Sequence, residues 1–461
     1  MTAMRAVTLI AGFALILSVA QVHAQTGPVY QPFRYDDDFR YLRSPGHPAD
    51  LWDPVKDLRF GDSYLSLGGE LRERFESYAD PLFGLKRQGR DSYDFHRFLA
   101  HADLHVSENF RTFIQFGNHD EWGKDHPLAP TDRDRLDLQQ GFIDLHAPIN
   151  DHVDPVLRAG RQEIGLGSQR LVSVRDGTNV RRSFDGLRLF DTFGDVRVDL
   201  IATRPTELRE GNFDDPSDSS QELWGAYLTA PVSFVPHLKA DLYYLGYENE
   251  LARFAGARDK EIRHSIGTRL FGATAGWDWN FEMVGQFGSF GSEDIRAWTV
   301  ASDTGFTIAS VPWKPRVGLK ANIASGDRNP SDGKVGTFNP LFPRLPYFSE
   351  ATLIVPANFY DLHPSLTVHP TQRVSILLSW DFLWRESTHD AVYSSPFNAI
   401  PGTNTATGRR IGDQFALEAQ WQVNPHLALA GSYVHFNAAS TILEAGGRDV
   451  DFVMTSMTYR F

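Results

Sequence analysis

The stretch Trp277-Asp278-Trp279-Asn280-Phe281-Glu282-Met283-Val284-Gly285-Gln286-Phe287 decides the fold. Trp277, Trp279, Phe281, Met283, Gly285 and Phe287 fall on one face of an extended chain, and Asp278, Asn280, Glu282 and Gln286 fall on the other. A period of two is that of a β-strand with one apolar and one polar face. The pattern recurs in 371–386, where Val374, Ile376, Leu378, Trp380, Phe382 and Trp384 oppose Arg373, Ser375, Ser379, Asp381 and Arg385. It recurs again in 409–422, where Phe415, Leu417, Ala419 and Trp421 oppose Gln414, Glu418 and Gln420. Such segments run for about ten to sixteen residues, against about 5–6 in ordinary globular sheets. A β-sandwich also buries one face, but with shorter strands. Crossing a bilayer takes about 9–11 residues per strand.

Between the segments the connections alternate in length. Short ones include 107–109, 231–236, 274–275, 369–370 and 424–425; long ones include 77–94, 122–133, 166–183, 205–220, 249–262, 326–355, 387–408 and 439–448. Short turns at one end and long loops at the other are the plan of an outer-membrane barrel. The expected fold is an all-β, transmembrane antiparallel barrel of about eighteen strands over 63–461, with short periplasmic turns and long extracellular loops. Tyr64, Trp122, Trp224, Trp277, Trp313, Trp384, Tyr433 and Tyr459 lie toward segment ends, as girdle aromatics do. The parity is muddled in 134–147 and 154–165, where a bulge is expected. Val453, Thr455, Met457, Tyr459 and Phe461 alternate to a terminal Phe, the kind of signal that outer-membrane assembly machinery reads.

The amino-terminal residues read as an address. Arg5 is a basic n-region, Val7 to Ala20 an apolar core, and Val22-His23-Ala24 a cleavage motif, so 1–24 is expected to be a signal peptide. Residues 25–62 hold Pro28, Pro32, Pro45, Pro48 and Pro54 and are read as a periplasmic or lumen-facing lead-in.

Composition sets the outer limits. The 461 residues include no Cys, which excludes disulfides, Cys-ligated zinc and thiol catalysis. A net charge of -13 is a poor basis for binding nucleic acid. A mean hydropathy of -0.33 argues against a helical membrane bundle. The basic residues are nearly all Arg, the side chain suited to carboxylate and phosphate. Window 158–188 carries seven Arg against Glu163, Asp176 and Asp185.

The polar faces place Arg72, Arg74, Arg97, Arg158, Arg188, Arg197, Arg269, Arg316, Lys320 and Arg385 toward the lumen. A positive constriction between low-dielectric walls attracts anions. The competing role is structural: Arg72 with Glu70, or Arg197 with Asp199, would stiffen the wall as ion pairs. Three further constellations are weaker. His101, Asp103 and His105 share one face, as metal ligands or as plain polar lining. His119-Asp120 and His389-Asp390 suggest a barrel hydrolase, but no Ser completes a nucleophile arrangement. Gly326 to Gly333 looks like a calcium loop without the closing Glu.

Several blocks resemble the bacterial alginate-export family of outer-membrane barrels. They are Leu67-Gly68-Gly69-Glu70-Leu71-Arg72-Glu73-Arg74; Gly160-Arg161-Gln162-Glu163 with Gly167, Gln169, Arg170 and Leu171; Arg181-Arg182-Ser183-Phe184-Asp185-Gly186; and Ser325-Gly326-Asp327 with Gly336-Thr337-Phe338-Asn339-Pro340-Leu341-Phe342-Pro343. The resemblance spans about Ser63 to Phe461. It implies an Arg-rich constriction passing a uronic-acid polymer, with Arg72, Arg74, Arg161, Arg170 and Arg182 matching. Motif matching puts Arg161 in the pore, whereas alternation from Leu157 and Ala159 puts it outside. The family's alginate exporter has a long periplasmic turn that helps occlude its pore. Here the turns are short, and 25–62 or 326–355 is the candidate to fold inward instead.

The expected pore lining is Arg72, Arg74, Arg97, Arg161, Arg170, Arg182, Arg188, Lys320 and Arg385. The expected function is passage of anionic solutes, foremost alginate-like polysaccharide, without enzyme activity, metal or cofactor. Expected partners are outer-membrane lipid, the anionic polysaccharide or small anions, the assembly machinery and a periplasmic export scaffold, with no nucleic acid. Alternatives are a porin for small carboxylates, a barrel enzyme using His/Asp at the rim, and an adhesive barrel acting through its loops.

Overall fold

The computed structural model describes residues 28–461 except 87, 126, 151, 152, 255, 256 and 396; the signal-like segment 1–24 lies outside the described residues. Eighteen long antiparallel strands close into a barrel. They are β1 Ser63–Ala79, β2 Arg90–His105, β3 Phe110–Trp122, β4 Asp134–His146, β5 Val156–Gln162, β6 Phe184–Phe193, β7 Val196–Pro205, β8 Gln221–Pro231 and β9 Leu238–Phe254. Then follow β10 Ala257–Thr274, β11 Trp277–Phe290, β12 Glu293–Thr307, β13 Arg316–Ala324, β14 Phe359–Thr371, β15 Val374–Trp384, β16 Arg410–Gln422, β17 Leu427–Ala438 and β18 Val450–Arg460. Each pairs with its neighbours in sequence, and β1 pairs with β18 from Glu70↔Arg460 to Ala79↔Asp451, which leaves no free edge.

The apolar faces point outward. Leu242, Ile266, Phe281, Met283, Leu378 and Trp380 are exposed because their solvent is lipid. The expected bulge in 134–147 is present: the β3–β4 register shifts twice, at Gln115/Phe116 and at Gly117/His119. The one expected in 154–165 is absent, since β5 pairs with both neighbours from Val156 to Arg161 without a shift. The expected long loop 249–262 is also corrected. It is the top of a tall β9–β10 hairpin, held by a cluster of Ala252, Phe254, Phe290, Ile295 and Val335.

The lumen is filled. The β5–β6 connection, 163–183, and the β13–β14 connection, 325–358, both turn inward. They join through a parallel bridge Val172↔Phe342 and the bonds Phe342 N–H to Leu171 O (2.9 Å), Arg344 N–H to Gln169 O (2.9 Å) and Gly177 N–H to Leu345 O (3.2 Å). Ile164, Leu171, Val172, Phe342 and Phe348 pack with inward wall residues such as Phe184, Leu245 and Val284 into one apolar core. Gly167 has φ +53° and lies so close to Tyr227 that a Cβ would overlap its hydroxyl, so only glycine lets the loop seat here.

The segment from residue 28 onward also enters the barrel, at the end carrying the short turns. Tyr35 packs edge-on against Phe113 and Phe142, whose side chains face inward. Arg34 donates to Gly69 O (2.7 Å) and Phe461 O (3.0 Å), across the seam between first and last strands. Trp52 lies 4.4 Å from the Phe461 ring and donates to the Tyr459 hydroxyl (2.9 Å).

Candidate pore lining

Two inward loops against an arginine-bearing wall place many guanidinium groups together, and their partners sort them. Arg97 is fully buried on β2. It donates to Glu70 (3.3 Å), Asp176 (2.8 Å) and the carbonyls of Asp176, Thr178 and Asn179. Arg72 on β1 donates to the same loop, at Asp176 O and Thr178 O (both 2.8 Å). These two side chains pin 163–183 against the wall. Arg181 binds Glu163 (2.7 Å) and Asp176 (3.3 Å). Arg74 binds Glu76 (2.6 Å) and Glu350 (3.1 Å), the latter on the second loop. Arg170 binds Glu282 (2.9 Å) and lies over the Tyr347 ring. Arg188 binds Asp199 (2.6 Å).

Two expected pore residues stand elsewhere. Arg161 shares the outward parity of Leu157 and Ala159, so alternation and not motif position is right. Its guanidinium binds Asp185 (2.9 Å), Leu138 O (3.1 Å) and Asp215 O (2.8 Å), beneath the β7–β8 loop folded over the barrel exterior. Arg385 is inward but fully buried at the extracellular mouth. It donates to the carbonyls of Thr388, Asp390, Thr403, Ala406 and Gly408, and so shapes the β15–β16 loop.

Arg182 and Lys320 differ from all of these. Among the described residues neither has a carboxylate within ion-pair distance or, as Arg72 and Arg385 have, carbonyls to donate to. The Arg182 guanidinium lies 4.5 Å from the Phe342 ring centre. Arg175, which the pattern did not single out as a lining residue, sits beside it without an acidic partner, and burial pushes it down to about 10. Burial, and then the Arg175 charge, holds Arg182 well below its ordinary value. Arg344 is the second residue missed. It directly follows the Phe342-Pro343 end of the last motif, is exposed within the lumen, and has no ion-pair partner among the described residues.

These cations face three cavities in series. One of about 580 Å³ is lined by Arg74, Arg175 and Arg182. The next, about 730 Å³, shares Arg74 with it and adds Arg72, Arg181 and Arg344. The third, about 410 Å³, shares Arg344 and adds Arg170 and Lys320. Free guanidinium forks along such a path can exchange one carboxylate for the next.

The other constellations resolve into local structure. His101 stacks on Phe113 and Asp103 is taken by Arg111 (2.7 Å). Neither His119 nor His389 has a hydroxyl bonded to its ring among the described residues. Asp390 accepts from Thr337, Tyr393 and the amides of Asp327 and Ala391, tying the loops together.

Comparison with known proteins agrees with this architecture. Solved structures of Pseudomonas aeruginosa porins share the fold. OccD3 (OpdP) is 11% identical, with 86% of this chain and 91% of that chain covered at a TM-score of 0.57. OccK2 (OpdF), solved in complex with glucuronate, is 11% identical, with 86% and 98% covered at a TM-score of 0.56. OccK8 (OprE) is 10% identical over 86% and 98%, also at 0.56. No curated protein sequence matches. The profile described as "Alginate export" matches residues 63–456. This chain, an outer-membrane β-barrel channel, belongs to the alginate export family.

Proposed function

We propose that the protein passes carboxylate-bearing solutes, foremost a uronic-acid polysaccharide such as alginate, across the outer membrane. The observation that carries this is the set of unpaired cations Arg175, Arg182, Arg344 and Lys320 lining neighbouring cavities that share wall residues. A fixed, unneutralised charge in a narrow lumen raises the local concentration of anions. Several weak sites in sequence permit release, which one tight site would not. The neutralised arginines position the loops that narrow the path. Membership of the alginate export family supports the polymer as substrate. A second reading, a porin for small uronates, is favoured by the two inward loops, 163–183 and 325–358, which join each other and pack against the wall and so narrow the lumen. A fold relative solved with glucuronate fits that reading too.

Planar-bilayer recording tests both. An anion-selective reversal potential, with current blocked by oligouronates, is the expected result. A cation-selective or non-conducting protein overturns the proposal. Block by glucuronate but not by oligouronates selects the small-uronate porin.

A further inference from the structure

Acidic side chains on the lumen wall are paired with arginine almost throughout. Glu70, Asp103, Asp144, Asp199, Asp241 and Glu282 each have a guanidinium nitrogen at 2.6–2.9 Å. Asp361 on β14 and Asp381 on β15 break that rule, as Glu418 on β16 does across the same cavity. Both are buried and inward, and neither has a Lys or Arg ion pair among the described residues. Between them stands His363, 4% exposed, with Nδ1 3.7 Å from Asp381 Oδ2 and no hydrogen bond to either ring nitrogen among the described residues.

Topology makes this grouping. Asp361 and His363 are two apart on β14 and share its inward face. The β14–β15 register runs unshifted from Leu362↔Phe382 to Ser365↔Ser379, which sets His363 across from Asp381. One donor atom from each of the three side chains lies within 4.8 Å of the others. Neighbours hold the carboxylates in place. Asn322 donates to Asp361 from its backbone N–H (2.7 Å) and from Nδ2 (2.9 Å), and Gln414 Nε2 donates to Asp381 Oδ2 (3.2 Å). Asp381 Oδ1 is buried and has no hydrogen-bond donor among the described residues, while the Asp361 carboxyl stands within hydrogen-bonding reach of the Asp381 carboxyl. An unpaired carboxylate oxygen beside an unbonded imidazole is costly unless something cationic joins them.

We propose that Asp361, His363 and Asp381 bind a divalent cation of the zinc class, with a fourth position open to the lumen. One imidazole and two carboxylates form a mixed nitrogen–oxygen set suited to Zn²⁺. Tetrahedral coordination at about 2.0–2.2 Å draws the donor atoms to about 3.5 Å apart, a contraction that side-chain rotation supplies. Asn322 and Gln414 then orient the ligands from behind. The site borders the same cavity as Lys320 and Arg170, about 410 Å³ in volume, which provides an entry route. Its open position would take water or the carboxylate of a passing solute, turning an acidic pair into a further anion-binding point.

The test uses the full-length protein in detergent with Zn²⁺ alone as probe. After gel filtration, elemental analysis should find one Zn²⁺ per chain. His363→Gln and Asp381→Asn should each weaken binding by roughly 100-fold, and Asn322→Ala by roughly 10-fold. Heat-modifiable gel mobility reports whether each variant is a folded barrel. X-ray absorption of the wild type with Zn²⁺ needs no variant: one imidazole with oxygen neighbours is expected. No retained Zn²⁺, retention unchanged in folded variants, or an all-oxygen shell overturns the proposal. Absence of Zn²⁺ together with an infrared band for a protonated carboxyl at neutral pH would assign the pair to a shared proton instead.

Discussion

Arg97 grips residues 176–179 of one inward loop and Arg182 stands just beyond them in that loop, yet they do different work. Arg97 is enclosed by two carboxylates and three carbonyls. Arg182 has an aromatic face and a cavity. The same contrast divides the whole lumen. On the wall from β1 to β7, arginines are numerous and nearly all neutralised. Around the cavities the free ones, Arg175, Arg182 and Arg344, stand beside paired ones such as Arg74, Arg170 and Arg181. A count of basic residues therefore measures how firmly the loops are held, and the unpaired subset measures the field an anion meets.

The comparison breaks most decisively on selectivity. Replacing Arg182, Arg344 and Lys320 together by Gln should lower the anion-to-cation permeability ratio by roughly tenfold, read from the reversal potential in a salt gradient. Replacing the paired set Arg170 and Arg188 with Gln, each with its acidic partner neutralised, should move it far less. Equal shifts from both sets would end the distinction between free and paired arginine.

Stability should respond in the opposite sense. Arg97→Ala strips its donors from Glu70, Asp176 and the carbonyls of 176–179, leaving Arg460 on Glu70 and Arg72 on Asp176 O and Thr178 O as the remaining guanidinium partners, and loss of one partner from a buried pair costs up to about 3–5 kcal/mol. The inward loop should loosen, giving noisier and larger single-channel currents and a lower melting point on heated gels. Arg182→Ala should leave the melting point nearly unchanged, because burial without an acidic partner makes that charge a cost to the fold.

Much of this is legible in the sequence. Period-two alternation gives strand identity and facing, because a strand can hide only one face from lipid. The turn pattern gives topology. What alternation cannot reveal is long-range pairing, such as that of Arg97 with Asp176 across 79 residues, because alternation is local and the contact is not. The seven arginines of 158–188 looked like one positive patch, while the structure neutralises Arg158, Arg161, Arg170, Arg181 and Arg188 through carboxylates on strands or loops. Arg344 was missed because a cationic loop tip has no periodicity. The hairpin over 249–262 reads as a loop in sequence because its charges, Glu248 to Glu261, mask the strand pattern.

A smaller effect separates the segment 28–57 from the barrel it enters. Lys56 donates to Leu67 O (2.6 Å) over the Phe39 ring, and burial, then the Arg34 charge, pushes it down to about 7. The folded value lies below the unfolded one, near 10.4. Between about 7 and 10.4 the unfolded state binds more protons, so seating of this segment should strengthen as pH rises through that window. Below pH 7 both states are protonated and the contribution is flat. Limited proteolysis at 28–57 should slow from pH 7 to pH 9 in the wild type and show no such trend in Lys56→Met. A trend of the opposite sign would mean that the cation–π contact outweighs desolvation.

The smallest effect tests the one arginine on the wrong side of the wall. Arg161 lies in the strongest motif block but on the outward parity, beneath the β7–β8 loop. Arg161→Ala should leave the reversal potential where it is, since its charge is separated from the lumen by the sheet and balanced by Asp185. It should cost about 2 kcal/mol or less, the range of a partly buried charge-assisted hydrogen bond. Cleavage within 206–220 by added protease should rise, because Asp215 O and Asp185 both lose their guanidinium, while Ser217 still bonds Asp185 (2.6 Å). A shift in selectivity would mean that motif position outranks facing. No shift, with a looser outer loop, would show that this family block conserves a clasp on the barrel's exterior, and that pore residues in such sequences must be read by parity before they are read by motif.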